Sequence, residues 1–172
     1  MLKFIGAALI LLAGTSAGML KAQQFAGRPK QIRDLILALK RLGTEISYGF
    51  TPLPDALNRI SKQMKEPLHT LFLQASQLMN HPSQMTAQDC IHEAIRSNWH
   101  NTAMKSAERD VLYQLGYNLG VSDRQDQMNY ISLAIQQLQS EEVSARDDQA
   151  RYEKMCKSLG LLSGALVVIL IY

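Results

Sequence analysis

The side chains in this chain best suited to metal binding or nucleophilic chemistry are His69, His81, His92 and His100, with Cys90 and Cys156. Their spacing supports neither chemistry. Cys90 and His92 are two positions apart, so on a helix they point to different faces. His92-Glu93 is not followed by the second histidine that a zinc-binding helix carries. A set of His92, Glu93 and His100 would have to meet across a corner of the chain. A Cys–His nucleophile pair lacks a strained turn or an oxyanion site beside it. The glycines are scattered, and no lysine follows a glycine run as a phosphate loop requires. No catalytic residue, metal site or cofactor is therefore expected. The two cysteines form no spacing motif, which fits a reducing compartment. The net charge is +3, with no dense basic patch interleaved with aromatics, so nucleic acid is not an expected partner. Glu141, Glu142, Asp147 and Asp148, near Arg146 and Arg151, read as a solvated ion-pair face or, more sharply, as a surface for a basic partner.

The elements that would position any surface begin with the first uncharged stretch, Phe4 to Leu20, which contains no charge, amide, histidine or proline. As a helix it spans about 26 Å, close to a hydrocarbon core of roughly 30 Å, and Lys3 and Lys21 can reach outward from its ends. It reads as a membrane-spanning helix. A cleavable secretory signal is the alternative, because Thr15-Ser16-Ala17 offers small residues to a peptidase. Lys21, Arg28, Lys30, Arg33, Lys40 and Arg41 follow, against Asp34 alone. Positive flanks stay in the cytoplasm, which puts the bulk of the chain there. The last stretch, Leu159 to Tyr172, gives about 21 Å of helix. Arg151, Lys154 and Lys157 precede it, so it reads as a second membrane segment, with a buried core helix as the alternative for its length. Gly14 and Gly18 in the first stretch, and Gly160 and Gly164 in the second, share the small-xxx-small spacing that lets helices approach closely in lipid. The expected organisation is an anchor over 1–27, a helical domain over 28–157 and a hydrophobic segment over 158–172.

Between the ends the apolar spacing is helical throughout. Aromatics are 6% of the chain, and Gly and Pro sit at boundaries, which suits an all-α domain. Six helices are expected: Pro29 to about Tyr48, Pro52 to about Glu66, Pro67 to Met79 with a loop from Asn80 to Ser83, Thr86 to about Asn98, Ala103 to Leu119, and a long one from Asp123 into the C-terminal stretch. Thr51 and Thr86 are expected caps, and Ser122-Asp123-Arg124-Gln125 reads as a capping box. Gly120 can end the fifth helix in a left-handed conformation. Met104, Ala107, Val111, Leu115 and Leu119 are expected inward on that helix. The fold class is an all-α, six-helix antiparallel bundle, flanked by an N-terminal transmembrane helix and a C-terminal hydrophobic helix.

Three segments carry a family resemblance: the apolar start with Lys3, RPKQIRDLILALKRLGTEISYGFTPLPDALNRI, and the ending KSLGLLSGALVVILIY. Together, over essentially the full length, they closely resemble the stage III sporulation protein AB family of endospore-forming bacteria. Gly49 to Leu57 also looks like the Gly-x-Pro-Leu-x-x-Ala-Leu signature of inner-membrane platform proteins of type II secretion and type IV pilus systems, although Gly49 stands one residue further from Pro-Leu. The resemblance implies a six-helix cytoplasmic domain on the mother-cell membrane around the forespore, in a secretion-like channel complex. It implies a non-enzymatic platform or adaptor that couples a cytoplasmic ATPase to other membrane subunits. Membrane lipid and a second copy of the chain are further candidate partners. The candidate partner or membrane surface comprises Arg33, Lys40 and Arg41 with Pro54, Asp55 and Arg59. The contrasting reading is an exported, envelope-side enzyme or adaptor after signal cleavage, its best groups being Cys90, His92 and Glu93.

Overall fold

A computed structural model describes residues 27–49, 51–81, 85–120 and 122–171, with the backbone alone at 156–157, 159–161 and 163–171. Its secondary structure is six α-helices and one 3-10 turn, with no strand among the described residues. The helices are α1 (Gly27–Ser47), α2 (Leu53–Ser61), α3 (Leu68–Asn80), α4 (Ala87–Asn98), α5 (Ser106–Asn118) and α6 (Arg124–Ile171); the turn is Trp99–Asn101. One compact unit is Arg28–Val143, and the other takes in Ser144 onward. The stretch Phe4 to Leu20, with Gly14 and Gly18, lies outside the described residues. Among the described residues no helix is long and apolar enough to cross a membrane. The backbone of α6 passes through Gly160 and Gly164, and the anchor packing expected of them lies outside what is described.

Apolar periodicity decides which face of each helix is buried. On α1, Ile32, Leu35, Ile36, Leu39, Leu42 and Ile46 are all buried, as their spacings of three and four require. Leu39 and Leu42 meet Leu57 of α2, Phe72 of α3, Ile95 of α4 and Leu115 of α5 around one apolar centre. Ile131, Ala134 and Leu138 bring α6 into the core. Each such side chain contributes roughly 1.5–3 kcal/mol when buried. The contacts fix α2 and α3 as antiparallel, and α1 and α5, joined start to start by Arg28 and Glu108, as parallel. Ser76 of α3 donates to the Pro54 carbonyl at 2.7 Å, and His69 meets the Ser61 carbonyl at 2.9 Å. A Cβ on Gly43 would lie 3.3 Å from Met128 Cε, while Arg33 lies 3.4 Å from Glu142, so α1 and α6 also run in opposite directions.

The helix ends differ from the sequence reading in informative places. Thr51 does not cap α2; its hydroxyl donates to Glu45 at 2.8 Å, and Pro52 precedes the first turn without a side-chain bond. That helix ends at Ser61, earlier than expected, and two turns lead to Pro67. Asp123, not Ser122, caps α6: its carboxylate accepts the Asp126 N–H at 2.8 Å. A carboxylate is a strong acceptor at a helix N-terminus, and it lies one residue nearer the first turn. Thr86 does cap α4, accepting from the Asp89 N–H at 3.1 Å, while Asp89 accepts from the Thr86 N–H at 3.1 Å. After α5, Gly120 has a φ of 86°, the left-handed region expected of it.

Leu138→Ala removes a fully buried side chain of α6, and it is expected to lower unfolding free energy by about 2–5 kcal/mol in urea titration. The cap of α4 is expected to respond to acid. The hydroxyl of Thr86, and then its backbone N–H, hold the Asp89 carboxyl below its ordinary range. A depressed folded value means that the contribution is present above the ordinary carboxylate range and is lost as pH falls through the lowered value. An NMR titration of the Asp89 carboxyl should therefore show its midpoint rising toward the ordinary range in Thr86→Ala.

Candidate functional site

The charged residues separate into a buried cluster and an exposed stripe. In the cluster, Glu108 of α5 is completely buried and Arg28, in the first turn of α1, is 8% exposed. Arg28 Nε donates to Glu108 Oε1 at 2.8 Å, and the Arg28 Nη2 lies 2.7 Å from the same oxygen. The other oxygen, Oε2, accepts the Lys105 N–H at 2.8 Å and so caps α5. Arg28 Nη2 also donates to Glu141 of α6 at 3.0 Å. One guanidinium thus joins three helices, and its fork geometry suits two carboxylates at once.

Burial of Glu108 corrects the expected register of α5. Ala107 is exposed and Val111 half-buried, while Met104, Glu108, Leu112, Leu115 and Leu119 face inward. The expected solvated face on α6 is corrected as well: Glu141 and Glu142 turn toward Arg28 and Arg33 of α1. Sequence spacing could not show this, because the partners are about 80 to 110 positions apart. The one local hint is that Arg28 immediately precedes Pro29, at a helix start with no acid in its own first turn.

The exposed positions of α1 are Lys30, Arg33, Leu37, Lys40 and Thr44. Their alternating spacing of three and four places them in one line along the helix. Arg33 is 55% exposed in its side chain and lies 3.4 Å from Glu142. Arg41 departs from this line: it is half-buried and donates to Gln63 after α2. The second expected patch divides similarly. Asp55 and Arg59 are exposed, and Pro54 is half-buried with its carbonyl bonded to Ser76. Arg59 lies 3.2 Å from Glu45, which also holds Thr51. Ala56 and Leu57 are core. Arg33 and Lys40 therefore share one surface, whereas Pro54 and Asp55 belong to the first turn of α2 and Arg59 to its last.

The residues of the enzymatic alternative are occupied otherwise. Cys90 is buried, and burial pushes its thiol up, the opposite of an activated nucleophile. His92 Nε2 meets the Tyr113 carbonyl at 2.9 Å, so that nitrogen carries the proton, and the ring is edge-on to Tyr113 and Tyr117. Glu93 pairs with Arg96 at 2.7 Å and accepts from Ser97. His100 is exposed in the turn after α4. Among the described residues no group of three or more His, Cys, Asp or Glu could hold a metal ion. Sequence reasoning did not single out a groove of about 270 Å³ between α5 and α6, lined by Val111, Leu115, Tyr117, Tyr130 and Leu133. Its signal was available in Tyr130 and Leu133, three positions apart on one face of α6 and outside the core positions.

Comparison with known proteins gives consistent matches. The profile of the stage III sporulation protein AB family matches residues 3–172. Stage III sporulation protein AB of Bacillus subtilis (strain 168) is 40% identical over 171 residues, covering 99% of each chain. A solved structure of stage III sporulation protein AB is 36% identical, with a TM-score of 0.68; the match covers 73% of this chain and 98% of that one.

Removing one member of a buried ion pair leaves the other without compensation. Glu108→Ala is expected to cost about 3 kcal/mol or more in chemical denaturation. Glu141→Ala, whose side chain is 32% exposed and whose loss leaves Arg28 on Glu108, should cost no more than about 1 kcal/mol. Equal losses would show that Glu108 is not the principal anchor of Arg28.

Proposed function

The chain belongs to the stage III sporulation protein AB family, and on that premise we propose that it is a non-enzymatic platform of a secretion-like channel complex between mother cell and forespore. In this reading the N-terminal stretch anchors it in the mother-cell membrane around the forespore. The bundle stands in the cytoplasm and couples a secretion-type ATPase to the membrane subunits. The observation that carries the reading is the likeness of Gly49 to Leu57 to the platform signature, set in a chain whose family match runs from residue 3 to 172.

The physical case is that such a protein works through surfaces held on a rigid body. Ala56 and Leu57 fix the start of α2 in the core, and this leaves Asp55 and Arg59 outward. A signature of this kind therefore has two roles. Its apolar members set the helix, and its charged members are available for contact. The packing of Cys90, the bonding of His92 and the pairing of Glu93 favour this over the enzymatic alternative.

Two measurements test the proposal. Full-length chain should remain in the pellet when membranes are extracted with alkaline carbonate, and it should keep its first residues; release or trimming near Ala17 would overturn the anchor. Asp55→Arg with Arg59→Glu should reduce recovery of the ATPase and membrane subunits when the chain is purified from solubilised sporulating cells. Asp55→Arg changes stability by about 0.5 kcal/mol and Arg59→Glu, which loses the largely exposed pair with Glu45, by about 1 kcal/mol, so an unchanged recovery would remove this face of α2 as the contact surface.

A further inference from the structure

We propose that the exposed stripe of α1, formed by Lys30, Arg33, Leu37 and Lys40, docks on the anionic headgroups of the bilayer. The inference deepens the platform reading and rests on its membrane anchor. Every ionisable residue at an exposed position of α1 is basic. The acids of the same helix, Asp34 and Glu45, are only half-exposed, and Glu45 is held by Thr51 and Arg59. Among the described residues neither the Lys30 nor the Lys40 ammonium has a hydrogen-bonded or ionic partner; a side chain bonds Lys40 only at its carbonyl, from Thr44. From α6, Glu142 lies 3.4 Å from Arg33, and Glu66 lines a groove that Gln31, next to Lys30 in the chain, also lines.

The shape of the stripe favours a lipid surface over an acidic protein. Lys30 to Lys40 is a straight run of about 15 Å. It has an apolar side chain, Leu37, at its middle, 43% exposed. Lys30, Arg33, Leu37 and Lys40 line none of the described grooves: one touches α1 only at Gln31, beside the line, and others lie between α5 and α6 and between α2 and α3. A straight basic line without a groove offers no pocket for a side chain, but it matches a planar array of phosphates, with Leu37 able to enter the interface. Reach is not limiting. Lys30 follows Leu20 by ten residues, so even a fully extended connection keeps it within about 35 Å of the apolar stretch. Each basic residue near an anionic surface contributes roughly fivefold, and the three together about a hundredfold, in favour of the docked state.

The test uses full-length chain reconstituted into vesicles of phosphatidylcholine alone or of phosphatidylcholine with phosphatidylglycerol. A water-soluble amine-acylating reagent and mass spectrometry then read each lysine. Lys62 and Lys65, both exposed near the end of α2, serve as internal references. Lys30 and Lys40 should react about tenfold or more slowly in the anionic vesicles, and high salt should abolish the difference. Equal reaction in both vesicles, with the chain still resistant to carbonate, would overturn the docking proposal and leave the anchor standing. Release of the chain by carbonate would overturn both. Protection absent from anionic vesicles but present in native sporulating membranes would assign the stripe to an acidic protein instead and overturn the lipid assignment.

Discussion

A fully buried carboxylate constrains the bundle more than any apolar contact does. Glu108 gives up its hydration completely, and an unpaired charge in that position would cost several kcal/mol. Only one arrangement supplies its partners: Arg28 on one oxygen and the Lys105 N–H on the other. This requirement fixes the start of α1 against the start of α5, and through Glu141 it brings in α6. Apolar contacts tolerate small rotations of a helix, because neighbouring side chains can exchange volume. A buried ion pair in which two guanidinium nitrogens share one carboxylate oxygen does not, since a shift of an ångström breaks its bonds. The register of α5, with Ala107 outward and Leu112 inward, follows from the pair rather than from hydrophobicity.

That distinction explains what could be read from the chain alone. The six helices were legible because apolar residues recur every three or four positions between Pro and Gly boundaries. All six expected apolar positions of α1 are buried, and so are Cys90, Ile91, Ala94 and Ile95 of α4. The errors occur where a polar group settles the matter from a distance. Thr51 has an acceptor in Glu45 that local sequence does not favour over a cap. Ser122 and Asp123 both fit a cap pattern, and the carboxylate prevails. Glu108 resembles a surface residue, and only the fold brings Arg28 to it. The candidate surface was half legible for the same reason. Arg33, Lys40, Asp55 and Arg59 are exposed as expected, but Arg41 is drawn aside by Gln63.

The run of positive charge after the first apolar stretch therefore has more than one use. Arg28 is a tie within the bundle, and Arg41 contacts the end of α2. Lys30, Arg33 and Lys40 remain on the outer line of α1. A count of basic residues would weight all of these equally as a topological signal. The structure separates a charge that holds the bundle together from charges that face outward, and the two classes respond differently to their surroundings. Salt screens the outer line strongly, whereas it scarcely reaches a pair buried as deeply as Arg28 and Glu108.

This division of labour bears on how the bundle holds its surfaces in place. The stiffness of the bundle begins at the first turn of α1. The pair at Arg28 places the most directional interaction of the bundle at the first turn of α1, one residue after Gly27. Displacement at that point is shared at once by α5 and α6 rather than absorbed by a loose end. Further along the same helix, the Glu45–Thr51–Arg59 contacts tie its end to the start of α2, where Asp55 stands outward. The two ends of α1 are thus each joined to another helix by charge, with a packed apolar core between them. A surface carried on α2 inherits that rigidity through the contacts of Glu45 with Thr51 and Arg59.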